Sequence, residues 1–289
     1  MKIRSLLMIR PLHFGYNPET AKTNAFQKME SLAEPGEIAQ REFDAMAEKL
    51  ANHGIPLTIL EDLPETRLPD SVFPNNWISS HPEGLLCLYP MLNPSRRSEV
   101  RNDIPELLMQ KFGYTRVIDF RATAGICEGT GSLVFDHARK LTLAVLSPRT
   151  EKEKVLEISN YLNYEPVFLQ ASAEGKPVYH TNVVLFCTSH GLFACGEALS
   201  GESRSLLANI YGHGLFYFSP ASMHAFVGNM LPVETENDRF IILSETAYRQ
   251  ADKTIIRQLH PEYQPVVVSI PIIETLGGGS ARCMLAEIF

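Results

Sequence analysis

The sequence has no stretch approaching the ~20 apolar residues that a membrane-spanning helix needs. Its longest basic cluster is the pair Arg96-Arg97. With a net charge of −7, that poverty of clustered positive charge argues against a nucleic-acid-binding surface. Cysteine is scarce: Cys87, Cys127, Cys187, Cys195 and Cys283 are odd in number and form no C-x-x-C pair. A disulfide framework and a structural zinc site are therefore not expected, and the usage fits a reducing cytoplasm. The start, Met1-Lys2-Ile3-Arg4 followed by Ser5–Ile9, carries a short apolar run that stops at Arg10-Pro11 without a small-residue cleavage site. It reads as a first strand and not as a leader. What the chain does have is an ordinary balance of 45% apolar and 20% charged residues, enough for the core of a globular enzyme.

Internal order appears on sliding back from the end. Gly277-Gly278-Gly279 precedes Cys283 and an apolar end segment that reads as a short buried strand. Glycines there permit close approach of a ligand or another backbone. Tetrads ending at residues 76, 131, 182, 229 and 283 recur at roughly 50-residue spacing, the period of a repeat architecture. The first four, at Asn76, Gly131, Asn182 and Asn229, are each followed by an apolar run, a polar turn and a returning strand (Leu85–Tyr89, Leu141–Leu146, Leu192–Cys195, Phe240–Leu243). A Ser- or Thr-led helical segment follows (95–112, 151–162, 200–211, 244–259), and then a third strand (116–120, 166–169, 215–218, 265–270). The N-terminal strand 6–9, a helix over 37–52 and a strand over 57–60 complete a fifth unit, split between the two ends of the chain. The expectation is one α/β domain over 1–289: five strand-strand-helix-strand units in a ring, with their tetrads at a central hole. The loop from 13 to 35 is long enough to serve as a lid.

The motifs FPNNW, EGTGSLVFD, YHTNVVL and GGGSARCM, in this order and one per unit, resemble the guanidine-modifying superfamily with the five-bladed α/β propeller (pentein) fold. In detail they are most similar to its citrulline utilisation hydrolase branch. The resemblance covers essentially the whole chain. It implies Cys283 as nucleophile, His180 as acid/base, and Glu128 orienting His180 and touching a leaving nitrogen. Phe73, Asn76, Gly129, Gly131 and Asn182 would surround the substrate. A cysteine, an imidazole and a carboxylate are the parts that covalent attack at a trigonal carbon and subsequent hydrolysis require.

Departures from the superfamily pattern sharpen the substrate. Relatives that take a guanidinium typically carry aspartate where this chain has Asn76 and Asn182, and deiminases often carry another acid at Gly131. Two amides cannot clamp a cation as two carboxylates do, whereas an amide N–H can donate to a neutral ureido carbonyl. The expected substrate is thus a ureido amino acid, citrulline first. It would be cleaved through an S-carbamoyl intermediate to ornithine, ammonia and carbon dioxide without metal or organic cofactor. An arginine should grip the substrate carboxylate; Arg10, Arg121, Arg149 and Arg282 are the candidates. Rival expectations are an arginine-type deiminase or amidinotransferase and a non-catalytic pentein binding module. The sequence leaves homo-oligomerisation open and implies neither a nucleic-acid nor a membrane partner.

Overall fold

The computed structural model describes residues 1–251, 253–259 and 262–289. Its fold is mixed α/β, built from small open sheets. Among the described residues, five sheets of three strands share one topology: an antiparallel pair whose returning strand also pairs in parallel with a third. Four are contiguous in sequence. They comprise Ile78–His81, Leu85–Leu88 and Arg116–Asp119; Val134–Asp136, Leu141–Val145 and Glu165–Leu169; Leu185–Cys187, Leu192–Cys195 and Leu215–Phe218; and Leu231–Glu234, Arg239–Ser244 and Gln264–Val268. The fifth unites the chain ends: Ser5–Arg10 pairs antiparallel with Ala286–Ile288, Leu6 facing Glu287, and parallel with Leu57–Glu61.

A parallel pair cannot be closed by a tight turn, so each third strand is reached through a helical crossover. In Pro35–Asn52 the apolar residues fall three and four apart, and Ala39, Phe43, Met46, Ala47 and Leu50 are buried against the sheets. Ser200 and Ser244 cap the helices Gly201–Tyr211 and Glu245–Gln250, accepting from the backbone N–H of Ser203 and Ala247. Middle strands such as Leu85–Leu88, Leu141–Val145 and Leu192–Cys195 are buried along their whole length, because sheets and helices cover both faces.

Two expected helices differ. The segment 95–112 divides into Pro94–Arg97 and Asp103–Phe112. Pro105 would break the interior of a continuous helix but is tolerated in the first turn of one beginning at Asp103. Ser95 caps nothing; its N–H donates to Glu19. The segment 244–259 divides into Glu245–Gln250 and Lys253–Leu259, with residue 252 outside the described residues. Thr150 does not cap Lys152–Leu162, whose cap position is Glu151. A helix at Pro220–His224, capped by Ser219, and a hairpin of Ser172–Ala173 with Lys176–Pro177 were not foreseen.

The tetrads end in short helical turns ahead of the sheets. Pro74–Asn76 packs on Gly129–Ser132, which packs on Thr181–Val184. That turn packs on Val227–Asn229, which meets Ala281–Met284, and the last returns to Pro74–Asn76. Such close apposition of backbones needs glycine. At Gly129, with φ +46°, a Cβ would strike the Asn75 carbonyl, and at Gly228 it would strike that of Val183. Among the described residues no helix is long and apolar enough to cross a membrane.

Candidate active site

This closed circuit of turns gathers the chemistry-bearing residues of the tetrads. Cys283 lies in the turn Ala281–Met284, 5% exposed, its N–H on the Ser280 carbonyl at 2.9 Å. The Asn182 Nδ2 stands 3.7 Å and the Asn229 Nδ2 3.3 Å from its Sγ. His180, at the start of Thr181–Val184, lines the same cleft and is buried. Its Nε2 is 2.7 Å from Glu128 Oε2. Glu128 is fully buried and held on both oxygens, by the Leu92 N–H (3.0 Å) on Oε1 and by His180 and Arg149 Nη1 (3.4 Å) on Oε2. Glu128 is not among the residues that line the cleft; it contacts His180, which is one of them.

The electrostatics follow from these partners. Burial alone would raise the Glu128 carboxyl, but the Arg149 charge, the His180 hydrogen bond and Arg96 together hold it well below the usual carboxylate range. Burial dominates at His180 and pushes it down to about 4, against the hydrogen bond to Glu128, which pulls the other way. The imidazole is therefore neutral at neutral pH. With Glu128 ionised and able only to accept, Nε2–H is the donor and Nδ1 carries the lone pair. Gly131 faces that side of the ring: a Cβ there would lie 2.8 Å from His180 Nδ1 and 2.5 Å from Asn76 Nδ2. The missing acid at 131 is thus a matter of space.

The cleft, of about 280 Å³, is lined by Asp70, Phe73, Asn76, Arg96, Arg149, Tyr179, His180, Cys283 and the glycine run, with Thr20 and Asn24 from the N-terminal loop. The glycine run is pressed beneath Phe73, whose ring a Cβ at Gly277 would meet at 2.7 Å. The loop is tied down over it: Asn24 Nδ2 donates to the Gly278 carbonyl (3.3 Å), Gln27 to that of Leu276 (2.9 Å), and Arg149 reaches Thr20 O and Thr23 Oγ1. Gly129 does not line the cleft; it serves the turn contact with Asn75.

Three of the four candidate arginines are engaged by nearby acids and lie off the cleft. Arg10 pairs with Asp44 (2.7 Å) and Glu61, and Arg121 pairs with Asp119 (2.7 Å); neither lines the cleft. Arg282 turns away to Glu287 and Leu285 O. Arg149 alone of the four reaches the cleft, joined by Arg96, which the sequence had suggested only as a helix start. Arg96 is 3% exposed, bidentate to Glu99, 4.0 Å from Asp70, and donates to Asn76 Oδ1 at 2.8 Å. Sequence reasoning missed Asp70, Arg96, Glu99 and Asn229. The i,i+3 spacing of Arg96 and Glu99 signals an ion pair but not its burial. Asn229 occupied a tetrad end without a role.

A family model described as N,N dimethylarginine dimethylhydrolase, eukaryotic, matches residues 10–289. The chain belongs to this family. The dimethylarginine dimethylhydrolase family falls within the guanidine-modifying superfamily that the motifs resemble. Among solved structures, the N-terminal domain of ArgZ, an arginine dihydrolase from the ornithine-ammonia cycle in cyanobacteria, bound to substrate, aligns with a TM-score of 0.78 at 17% identity. That alignment covers 98% of this chain and 97% of that one. DDAH from Pseudomonas aeruginosa, a Cys-to-Ser variant complexed with citrulline, aligns with a TM-score of 0.71 at 17% identity over 100% of both chains. At such identities the likeness shows a shared fold. Against the apo structure of ArgZ, the alignment covers 98% of this chain but only 40% of that one. No curated protein matches it.

Proposed function

We propose that the protein hydrolyses a ureido amino acid, citrulline first, with Cys283 as nucleophile, His180 as proton carrier and Glu128 as the support of His180. The observation that carries the substrate choice is the orientation of Asn76. Arg96 can only donate, so the Asn76 atom facing it is Oδ1. That leaves Asn76 Nδ2, buried and without a partner, as a donor toward the cleft. Asn182 offers an acceptor, a buried Oδ1 without a partner among the described residues, on the amide whose Nδ2 stands 3.7 Å from the sulfur. One donor and one acceptor match a carbonyl oxygen and an amino group on one carbon. A guanidinium has no acceptor to satisfy the donor, and a buried unmet polar group costs roughly 1–3 kcal/mol.

In this reading the Cys283 thiolate attacks the ureido carbon while Asn76 Nδ2 steadies the oxygen as charge develops there. His180 Nδ1 takes the Cys283 thiol proton as the thiolate forms and delivers it to the departing ornithine nitrogen, leaving an S-carbamoyl enzyme. Water, deprotonated by His180, releases carbamate, which falls to ammonia and carbon dioxide. Arg149 and Arg96 carry the positive charge that draws the amino-acid carboxylate, and Asp70, with Oδ1 unpartnered, suits its ammonium. The five sheets act as blades of one propeller and residues 1–289 as one catalytic domain; the closed circuit of turns and the sheet shared by both chain ends support this.

A second reading, a guanidino amino acid such as arginine, is favoured by the family's name, the relatives named above, and three carboxylates (Asp70, Glu99, Glu128) against two guanidiniums around the cleft. Separate incubation with citrulline and with arginine, following ornithine, ammonia and citrulline, decides between them. Ornithine from citrulline is expected. Citrulline accumulating from arginine, with no turnover of citrulline itself, would overturn the ureido assignment.

A further inference from the structure

The fourth hub turn, Val227–Asn229, supplies nothing to the chemistry above, yet its last side chain reaches the sulfur. Asn229 is 3% exposed. Its Nδ2 lies 3.3 Å from the Asn182 carbonyl and 3.3 Å from Cys283 Sγ, and its Oδ1 lies 3.5 Å from the same sulfur. The carbonyl fixes which end of the amide is nitrogen, since it can only accept. Nδ2 has two hydrogens, one for that carbonyl and one for sulfur.

The backbone is shaped to hold this side chain. Gly228 lets the turn press on Val183, where any Cβ would collide with the carbonyl. Phe226, immediately upstream, sits in the left-handed region at φ 64°, an uncommon and strained conformation for an aromatic residue, and its carbonyl accepts from the Asn229 N–H at 2.9 Å. Strain and close packing thus converge on one amide aimed at one sulfur.

We infer that Asn229 is a further catalytic residue that holds Cys283 in both protonation states. Its Oδ1 accepts from the thiol S–H and its Nδ2–H donates to the thiolate. No proton leaves or enters the amide; as the S–H proton departs, the contact shifts from Oδ1 to Nδ2 at nearly the same distance. An aspartate would serve the thiol but repel the thiolate, so the choice of amide at 229 favours the nucleophilic form. The inference rests on Cys283 being the nucleophile. The other charged or titratable groups facing the sulfur are Asp70, Arg96, Arg149, Tyr179 and His180 in the cleft wall, with Glu128 behind His180.

The test needs no substrate: iodoacetamide alkylation of the full chain across pH, read at the Cys283 peptide by mass spectrometry. In Asn229→Ala the rate–pH profile should move up by about one unit, a loss of roughly tenfold at neutral pH, from the lost charge-assisted bond. Asn229→Asp should move it further. Cys187 should alkylate unchanged in both. An Ala profile superimposed on wild type overturns the inference. So does an Ala shift as large as the Asp shift, because a purely structural residue would suffer most from losing its side chain. If Asn229→Asp does not fold, Asn229→Ser, which keeps a hydroxyl donor, should lie between wild type and Ala; coincidence with Ala overturns it. Failure to turn over citrulline or arginine refutes the proposed function and leaves this result standing.

Discussion

Of the clefts that reach the hub, two carry a cysteine among the described residues, and the larger is the poorer candidate. A cleft of about 920 Å³ is lined by Cys187, Asp136, His137, Arg282, Glu287 and the far side of Asn182. Cys187 lies there, its thiol pushed up by burial and by the neighbouring Asp136, and donating to the Thr188 carbonyl at 3.6 Å. Asp136 is already engaged by Arg139 and Tyr211. The smaller cleft holds Cys283 between two amides and beside an imidazole that a buried carboxylate supports. The difference lies in the surroundings of the sulfur: thiol reactivity depends on donors and charges near it, and room alone supplies neither.

Substitutions can break that comparison. The largest effect belongs to Cys283→Ser, expected to lower kcat at least about 10³-fold with folding intact, because the proposed nucleophile is lost while its volume is nearly kept. Equal activity in steady-state assays would remove Cys283 from the mechanism. Glu128→Gln should follow, with a loss of about 10²–10⁴-fold in kcat. It should also lower stability by about 3–5 kcal/mol, because Arg149 is left buried beside a neutral amide; chemical denaturation measures this.

Acid should act through the same pair. His180 and Glu128 both titrate lower folded than unfolded, so the unfolded chain binds more protons and stability falls as pH falls. The His180 part is lost between its ordinary 6.5 and about 4, and the Glu128 part below its ordinary 4.5. At His180 the full span amounts to about 3 kcal/mol. His180→Asn should flatten the unfolding midpoint over that window, and an unaltered pH dependence would contradict the assignment.

Smaller effects sharpen the contrast. Gly131→Ala should cost about 10–100-fold in kcat/KM, since its methyl displaces Asn76 Nδ2 and the imidazole. Cys187→Ala, in the larger cleft, should leave kcat/KM unchanged; a fall of tenfold or more would move the chemistry to that side.

Much of this was legible in the chain. Apolar runs broken by polar turns gave the hairpins, and Ser200 and Ser244 gave two helix starts, because these signals are local. The tetrads marked the hub because glycine and asparagine recur where backbones crowd. Burial of charge was not legible. Arg96 and Glu99 look like ordinary surface residues of a helix start, and only folding against Asp70 and Asn76 seals them from water. The four candidate arginines could not be ranked for the same reason: Arg10 and Arg121 find partners in Asp44 and Asp119 that only the folded chain brings to them.

The most direct measurement is mass spectrometry of enzyme quenched in acid during turnover with citrulline. A carbamoyl increment confined to the Cys283 peptide is the expected result. An unmodified Cys283 with citrulline, alongside an adduct formed from arginine, would contradict the ureido account at its centre.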